Sequence, residues 1–412
     1  MLKKLSKNWV TLLILALAGG LIYKLPYLKY SYYDALISAL KVDNTQLGVL
    51  VSSFGLSSMI CYFPGGWIAD RFQPRVLLTT AFVSLGLLGL WYSTFPSYNT
   101  VLFIHVAFGA VICLCYWSVA IKAVRLLTSD DDTGKMFGFW EGGKQISGLI
   151  ISYSALAVFA RFDVEVLGVA AIIRIYSFIL ISVGVILFFM LKDLEQGKKT
   201  AMSPLEIFKV MKDPRAWAFA LMIFSAYHYH IGLNNITPYL TQIFGLSSTT
   251  AAGISMFVMY VIGFFGAAMG GILVDKMKST LKVVRYMILL GICVLIAYIL
   301  VPGSSSFLYV VIALWGVAQF ANFAIRGVYF SSLKDLKVSK ETTGLFVGFA
   351  SFLGFLPDTF LHIVTGKIMD AYPGETGFKV IFAYMGVMLV VCLLVVTLMM
   401  MKSKKMKAQG NE

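Results

Sequence analysis

Long apolar runs follow one another along the whole chain, each closed by a short polar or basic stretch. Taken as helices, they cover residues 8–29, 45–69, 76–95, 100–127, 136–160 and 168–191. A second set follows at 216–243, 249–274, 283–302, 305–333, 343–369 and 376–401. Each is near the roughly 20 residues that an α-helix needs to cross the hydrocarbon core of a bilayer. Only helices or closed barrels satisfy their backbone in lipid, and the alternating ten-residue segments of a barrel are absent from the sequence. The pattern predicts an all-α membrane protein of twelve transmembrane helices.

Composition agrees with lipid as the solvent. The chain has 412 residues, 59% hydrophobic and 13% charged, against about 25% charged in an ordinary globular domain. The formal net charge of +14 would suit nucleic acid, but its distribution gives it another meaning. Lys3, Lys4, Lys7, Arg71, Arg75, Arg125 and Lys135 fall on one side of the predicted spans. So do the basic residues of 192–215, 276–285, 334–340 and 402–407, whereas the loops near 97, 245 and 303 carry no Lys or Arg. This positive-inside bias puts both termini in the cytoplasm of a bacterial-type inner (plasma) membrane. No soluble basic face is left over for a nucleic acid. Cys61, Cys113, Cys115, Cys293 and Cys392 sit inside apolar runs without metal-type neighbours. They are expected to pack, and no metal or cofactor is expected. The first apolar run is not followed by an A-x-A-type site, so no cleavable signal peptide is expected.

An internal repeat organises the spans. Gly65, Gly66, Asp70 and Arg71 fall on Gly270, Gly271, Asp275 and Lys276 at an offset of 205 residues, and Gly48 falls on Gly253. AIKAV at 120–124 falls on AIRGV at 324–328, and TGKMFGF at 133–139 on TGLFVGF at 343–349. The expected domains are a six-helix half at 1–192, a charged linker at 193–213, a second half at 214–401 and a basic tail at 402–412. Two pseudo-symmetric parallel halves with a central linker are the architecture of one transporter class. In it, substrate binds near the midplane between halves, and rocking opens alternate faces.

The GxxxDRxxxR stretch of Gly66, Asp70, Arg71 and Arg75 resembles the loop signature of the major facilitator superfamily. With the spans, the repeat and the linker, the resemblance covers essentially the whole chain. It implies a cytoplasmic latch built from Gly66, Asp70, Arg71 and Arg75, with Asp275 and Lys276 in the second copy. Gly66 would permit close helix approach, and Asp70 would cap a neighbouring helix N-terminus. The resemblance also implies that helices 1, 4, 7 and 10 line a cavity, with 2, 5, 8 and 11 beside them.

Ionisable residues inside spans are costly and tend to mark pathways. Here they are Lys24, Lys122, Glu141, Lys144, His228, His230, Arg326, Asp358 and His362. Their balance is basic, and a basic cavity of low dielectric attracts anions. Each has a plainer reading. Lys144 can pair with Glu141, while Lys122 and Arg326 can snorkel to the interface. Asp358 can cap a segment that follows a kink at Pro357. His228 and His230 lie about 200° apart on a helix, so one of them is expected to face the cavity. The substrate-binding candidates are Lys24, Tyr27, Lys122, Lys144, His228, His230 and Arg326, with Tyr23, Tyr229, Trp117 and Trp140 as aromatic walls. The proton-coupling candidates are Glu141, His230 and Asp358. The pair Glu141 and Lys144 is expected to separate when an anion competes for the lysine, leaving the carboxylate to take a proton.

YKLPY in helix 1 and FWEGGKQISG in helix 5 are similar to the organophosphate:phosphate antiporters. That more distant resemblance implies site positions at Lys24, Trp140, Glu141, Lys144 and His230, although the residue type differs at all of them but Trp140. A lysine lacks the bidentate fork that arginine offers phosphate, so a carboxylate or sulfonate stands beside a phosphate ester. The helix-5 motifs of drug/proton antiporters and nitrate porters are absent from GGKQISGLIISYSAL. No Walker loop, HExxH or serine elbow occurs, so no enzyme is expected. The expectation is a monomeric secondary transporter of a small organic anion, working in the lipid bilayer by H⁺ symport or anion exchange. The alternatives are an exporter of neutral or cationic solutes and a solute sensor that does not transport.

Overall fold

The computed structural model describes residues 2–127, 133–191, 210–338 and 340–408. Their regular structure is helical throughout, and nine segments among the described residues are long and apolar enough to cross a membrane. The chain runs through α1 (Leu2–Leu21), α2 (Tyr33–Leu40), α3 (Asn44–Arg71), α4 (Pro74–Tyr92) and α5 (Tyr98–Ile112). A π-helical turn at Cys113–Trp117 leads into α6 (Ser118–Leu126), followed by α7 (Thr133–Phe159) and α8 (Glu165–Met190). Then come α9 (Pro214–Leu233), α10 (Ile236–Gln242) and α11 (Ser248–Phe257), a second π turn at Val258–Ile262, α12 (Gly263–Met277) and α13 (Thr280–Leu300). The last are α14 (Leu308–Val328), α15 (Ser332–Asp335), α16 (Lys340–Gly354), α17 (Leu361–Ala371) and α18 (Glu375–Ala408).

The chain divides into two compact units, Met1–Ala201 with Ser247–Met256, and Met202–Leu246 with Phe257–Glu412. In the first, α3 packs on α5, α4 on α8 and α1 on α7. In the second, α12 packs on α14, α13 on α18 and α9 on α16. These are the same pairings copy for copy, so the sequence repeat is a repeat of packing. Ser247–Met256 joins the first unit, where the Tyr153 hydroxyl donates to the Gly253 carbonyl at 2.9 Å.

Three expected spans are interrupted. Helix 1 was expected to run through 8–29, but α1 stops at Leu21 and the chain turns as far as Tyr27. Pro26 is the cause, because its ring clashes with the preceding turn and its nitrogen has no proton to donate. The Lys24 amide bonds to the Leu21 carbonyl at 2.9 Å, a tightened i to i−3 closure. The seventh span breaks after Leu233, where the Asn234 and Asn235 carboxamides donate to the carbonyls of His230 and Gly232 at 3.1 and 3.0 Å. The Asn234 side chain thus covers a backbone acceptor at the break, and the Asn235 side chain adds a second donor to the Gly232 carbonyl, which also accepts from the Asn235 amide at 3.1 Å. The eleventh span breaks between Gly354 and Leu361, with a 3₁₀ turn at Leu356–Thr359 around Pro357.

The repeated loop motif departs from expectation in one respect. A Cβ at Gly66 would meet nothing within 4 Å, whereas one at Gly65 would collide with the Cys113 backbone carbonyl. In the second copy Gly271 is equally open, and a Cβ at Gly270 would come within 2.7 Å of the Ala324 carbonyl. The first glycine of each pair, not the second, lets the helices approach. Gly65→Ala is therefore expected to destabilise by about 1–3 kcal/mol through overpacking. Gly66→Ala is expected to be neutral or stabilising, since an open helical glycine costs about 0.5–1 kcal/mol relative to alanine. Thermal melting of the two variants in detergent checks this, and equal losses would contradict it.

Capping is also placed differently in the second copy. Asp335, at the end of α15, accepts from the Ser279 hydroxyl at 2.9 Å and the Leu281 amide at 3.0 Å, and so caps α13. Asp275 and Lys276 are exposed. In the first copy the Asp70 side chain lies outside the described residues. Arg71 stacks over the Trp67 ring at 3.7 Å, and Arg75 bonds to Gln73 at 3.0 Å beside Phe188.

Candidate functional site

The polar interior residues gather into one cluster in each unit. In the first, the break after α1 brings Lys24 onto α7. Its ammonium donates to the Gly148 carbonyl at 3.0 Å and to the Ser152 hydroxyl. Lys144, Gly148 and Ser152 are four residues apart along α7, so they share the face that meets Lys24. The Lys144 ammonium sits 4.0 Å from the centre of the Trp140 ring, a cation–π contact. Gly20 makes the approach possible, because a Cβ there would come within 2.8 Å of the Lys144 carbonyl.

Aromatic rings of the same unit pack on one another, beginning at Tyr23, next to Lys24 in the chain. Tyr23 meets Tyr27 and Tyr116 at centroid distances of 6.2 and 6.4 Å. Tyr27 stacks on Tyr30 at 5.0 Å and meets Phe54 edge-on at 5.2 Å. Trp140 is buried, and its indole donates to the Leu15 carbonyl at 3.1 Å. It is a packing residue whose ring face also receives Lys144. Trp117 lies against Tyr62 instead. Glu141, expected to pair with Lys144, has its side chain outside the described residues.

Lys122 does not join this cluster through any contact described. Its ammonium donates to the Ala69 carbonyl at 2.7 Å, near the C-terminus of α3, where a cation complements the exposed carbonyls and the helix dipole. Its repeat partner Arg326 behaves differently, so equivalent positions have diverged in use.

Arg326 centres the second cluster. Its Nη1 lies 2.8 Å from Nε2 and 3.1 Å from Nδ1 of His230. The Asn322 carboxamide nitrogen is 3.0 Å from the same Nδ1 and donates to Gln319 Oε1 at 2.9 Å. Tyr227 and Phe323 flank the guanidinium at 5.9 and 5.7 Å. Arg326 Nε is buried and has no hydrogen-bond partner among the described residues. His362 bonds to Asp358 at 3.1 Å and lies within electrostatic range of His230. Asp358 thus engages His362 and does not cap α17, which has no side-chain cap.

Of the two helix-9 histidines, His230 is the one at Arg326. His228 bonds to the Phe224 carbonyl at 2.8 Å and packs among Phe224, Phe360 and Tyr384. Tyr229 is also internal, with its hydroxyl donating to the Ala318 carbonyl at 3.1 Å. The sequence reading missed the polar partners Ser152, Gln319 and Asn322 and the rings of Tyr30, Phe54, Tyr116, Tyr227 and Phe323. Gln319, Asn322 and Arg326 recur at i, i+3 and i+7 on α14, and this polar stripe in an apolar helix was the available signal.

The chain matches the family model of the Major Facilitator Superfamily over residues 9–357. It is 31% identical over 393 residues to inner membrane protein YihN of Escherichia coli (strain K12), covering 92% of each chain. It is 24% identical over 371 residues to a hexuronate transporter of Bacillus subtilis (strain 168), covering 80% of this chain and 81% of that one. Among solved structures it resembles a bacterial homologue of the human lysosomal transporter Spinster, in an inward-facing and unoccupied conformation. The TM-score is 0.78 at 15% identity, with 97% of each chain covered. With its apolar helices, its repeated packing and this match, the chain is a multi-pass membrane transporter, not an enzyme, and it belongs to the Major Facilitator Superfamily.

Proposed function

We propose that the chain carries a small organic anion by alternating access, with both termini cytoplasmic and with H⁺ symport or anion exchange as the coupling. The observation that carries this reading is Arg326. A guanidinium is a donor-only fork that stays charged, and its buried Nε has no acceptor among the described residues. A buried unsatisfied donor costs about 1–3 kcal/mol, more when charged, and an anion would remove that cost. Lys24, Lys144 and Tyr27 in the first unit and His230 and Arg326 in the second are the proposed ligands. Lys122 and His228 stand outside these two clusters, with Lys122 bonded to the Ala69 carbonyl and His228 Nδ1 to the Phe224 carbonyl, and we rank them after the other five.

The relative named as a hexuronate transporter supports a sugar-acid carboxylate as the first solute to try. The aromatic rings that begin at Tyr23, next to Lys24 in the chain, suit the apolar face of such a molecule. Thermal shift of the purified protein tests the reading, since a ligand of the folded state raises apparent stability. D-glucuronate, isethionate and glycerol phosphate represent the carboxylate, sulfonate and phosphate-ester classes. At least one is expected to raise the melting temperature in a saturable way. Stabilisation by D-xylose, uridine or choline alone would favour a carrier of neutral or cationic solutes.

A further inference from the structure

We propose that the Arg326–His230 contact is a switch thrown by the substrate: an anion at Arg326 displaces the imidazole, and His230, once released, takes up one proton. The inference rests on the anion reading above and adds the coupling ion to it.

The groups facing His230 set the argument. Arg326 Nη1 is within hydrogen-bond distance of both ring nitrogens, and the Asn322 carboxamide nitrogen reaches Nδ1. Arginine offers donors only. An imidazolium has N–H groups on both nitrogens and cannot accept from either donor. The observed contact therefore calls for a neutral ring, and it holds the ring in that form for as long as Arg326 is turned to it.

An incoming carboxylate or sulfonate changes both conditions. Its oxygens are stronger acceptors than a neutral imidazole, because they carry the charge opposite to the guanidinium and can take its fork by two parallel bonds. The Nη1–imidazole bond breaks, and guanidinium–oxygen bonds form, including one to the vacant Nε. His230 regains a lone pair beside a new negative charge, a proton from solvent adds to it, and the Asn322 carboxamide turns its oxygen to the Nδ1 proton in place of its nitrogen. Nothing is oxidised or reduced.

Other titratable groups near the switch are few, and one of them is the buried Tyr329, just beyond the end of α14 and interacting with Arg326. On α9 itself Tyr227 stands beside the ring at 5.5 Å, while His228 is bonded to Phe224. From α17 comes His362 with Asp358, and from α18 Tyr384, which packs on His228. The described side chains of α16, residues 346–354, include no titratable group. His362 is the rival site for the proton, so it supplies the control.

The test is proton uptake by the purified full chain in weakly buffered detergent, read with an indicator dye as D-glucuronate or isethionate is added. Both probes are ionised near neutral pH, so neither brings or takes a proton of its own. The wild type is expected to take up about one proton per bound anion, and linkage then makes affinity fall about tenfold per unit rise in pH. His230→Gln is expected to lose the uptake at saturation, whatever its affinity, and His362→Gln to keep it. Should His230→Gln fail to fold, the pH dependence of affinity in His362→Gln decides: a fall of about tenfold per pH unit kept there supports His230, and its loss overturns the switch. Anion binding without proton uptake, or uptake lost in His362→Gln and kept in His230→Gln, overturns the switch and leaves the anion reading standing. If neither probe nor glycerol phosphate binds, the anion reading fails and takes the switch with it.

Discussion

Arg326→Lys is expected to lower kcat/KM for uptake about 100-fold, although the charge is kept. Lysine places a single ammonium where arginine places a planar fork. Arg326 uses Nη1 on His230 and leaves Nε buried and open to a new acceptor. Hydrogen bonds to charged groups contribute about 1.5–3 kcal/mol each, and about 1.4 kcal/mol is a factor of ten. Losing the Nε bond and the alignment of the fork therefore costs about two orders of magnitude. The melting temperature reports folding separately, because Tyr227 and Phe323 flank the guanidinium and a lysine stem leaves part of that space unfilled. Uptake within threefold of wild type by the lysine variant would show that the fork is not used.

Lys24→Met is expected to cost about 50-fold in uptake and little in stability. The methionine keeps most of the stem. The Gly148 carbonyl lies within α7, where the helix ladder also supplies it a partner, and a serine hydroxyl can bond back to the carbonyl four residues earlier. Removing the ammonium therefore strands neither of these two acceptors. What disappears is a cation in a low-dielectric interior, where one contact to an anion contributes about 2–3 kcal/mol. Lys24→Arg should keep part of the activity. Wild-type affinity in the methionine variant would remove Lys24 from the site and leave it as a tie between the first helix break and α7.

Much of this was legible in the chain because hydropathy and internal repetition are linear signals. The apolar runs, the 205-residue offset and the charges inside the spans need no partner to be recognised. What escaped depends on partners. Gly65 and Gly66 are adjacent letters, and only the position of the Cys113 carbonyl says which of them allows contact. Lys122 and Arg326 are equivalent in the repeat, yet one reaches a helix end and the other a histidine. The break at Pro26 was visible as a residue, but a hydropathy window averages across it, whereas the kink at Pro357 was expected. Gln319 and Asn322 were passed over because they carry no charge, although a buried carboxamide in an apolar helix needs a partner as surely as a cation does.

Counterflow in proteoliposomes tests anion transport most directly. Vesicles containing the purified protein are loaded with an unlabelled solute and diluted into a trace of the same solute carrying a radiolabel. D-glucuronate, isethionate and glycerol phosphate are run beside D-xylose, uridine and choline. A carrier of small organic anions accumulates label transiently for at least one of the first three, and the Arg326→Lys variant does so far more slowly. Accumulation confined to the neutral or cationic solutes, or thermal-shift binding of an anion with no counterflow, would contradict it.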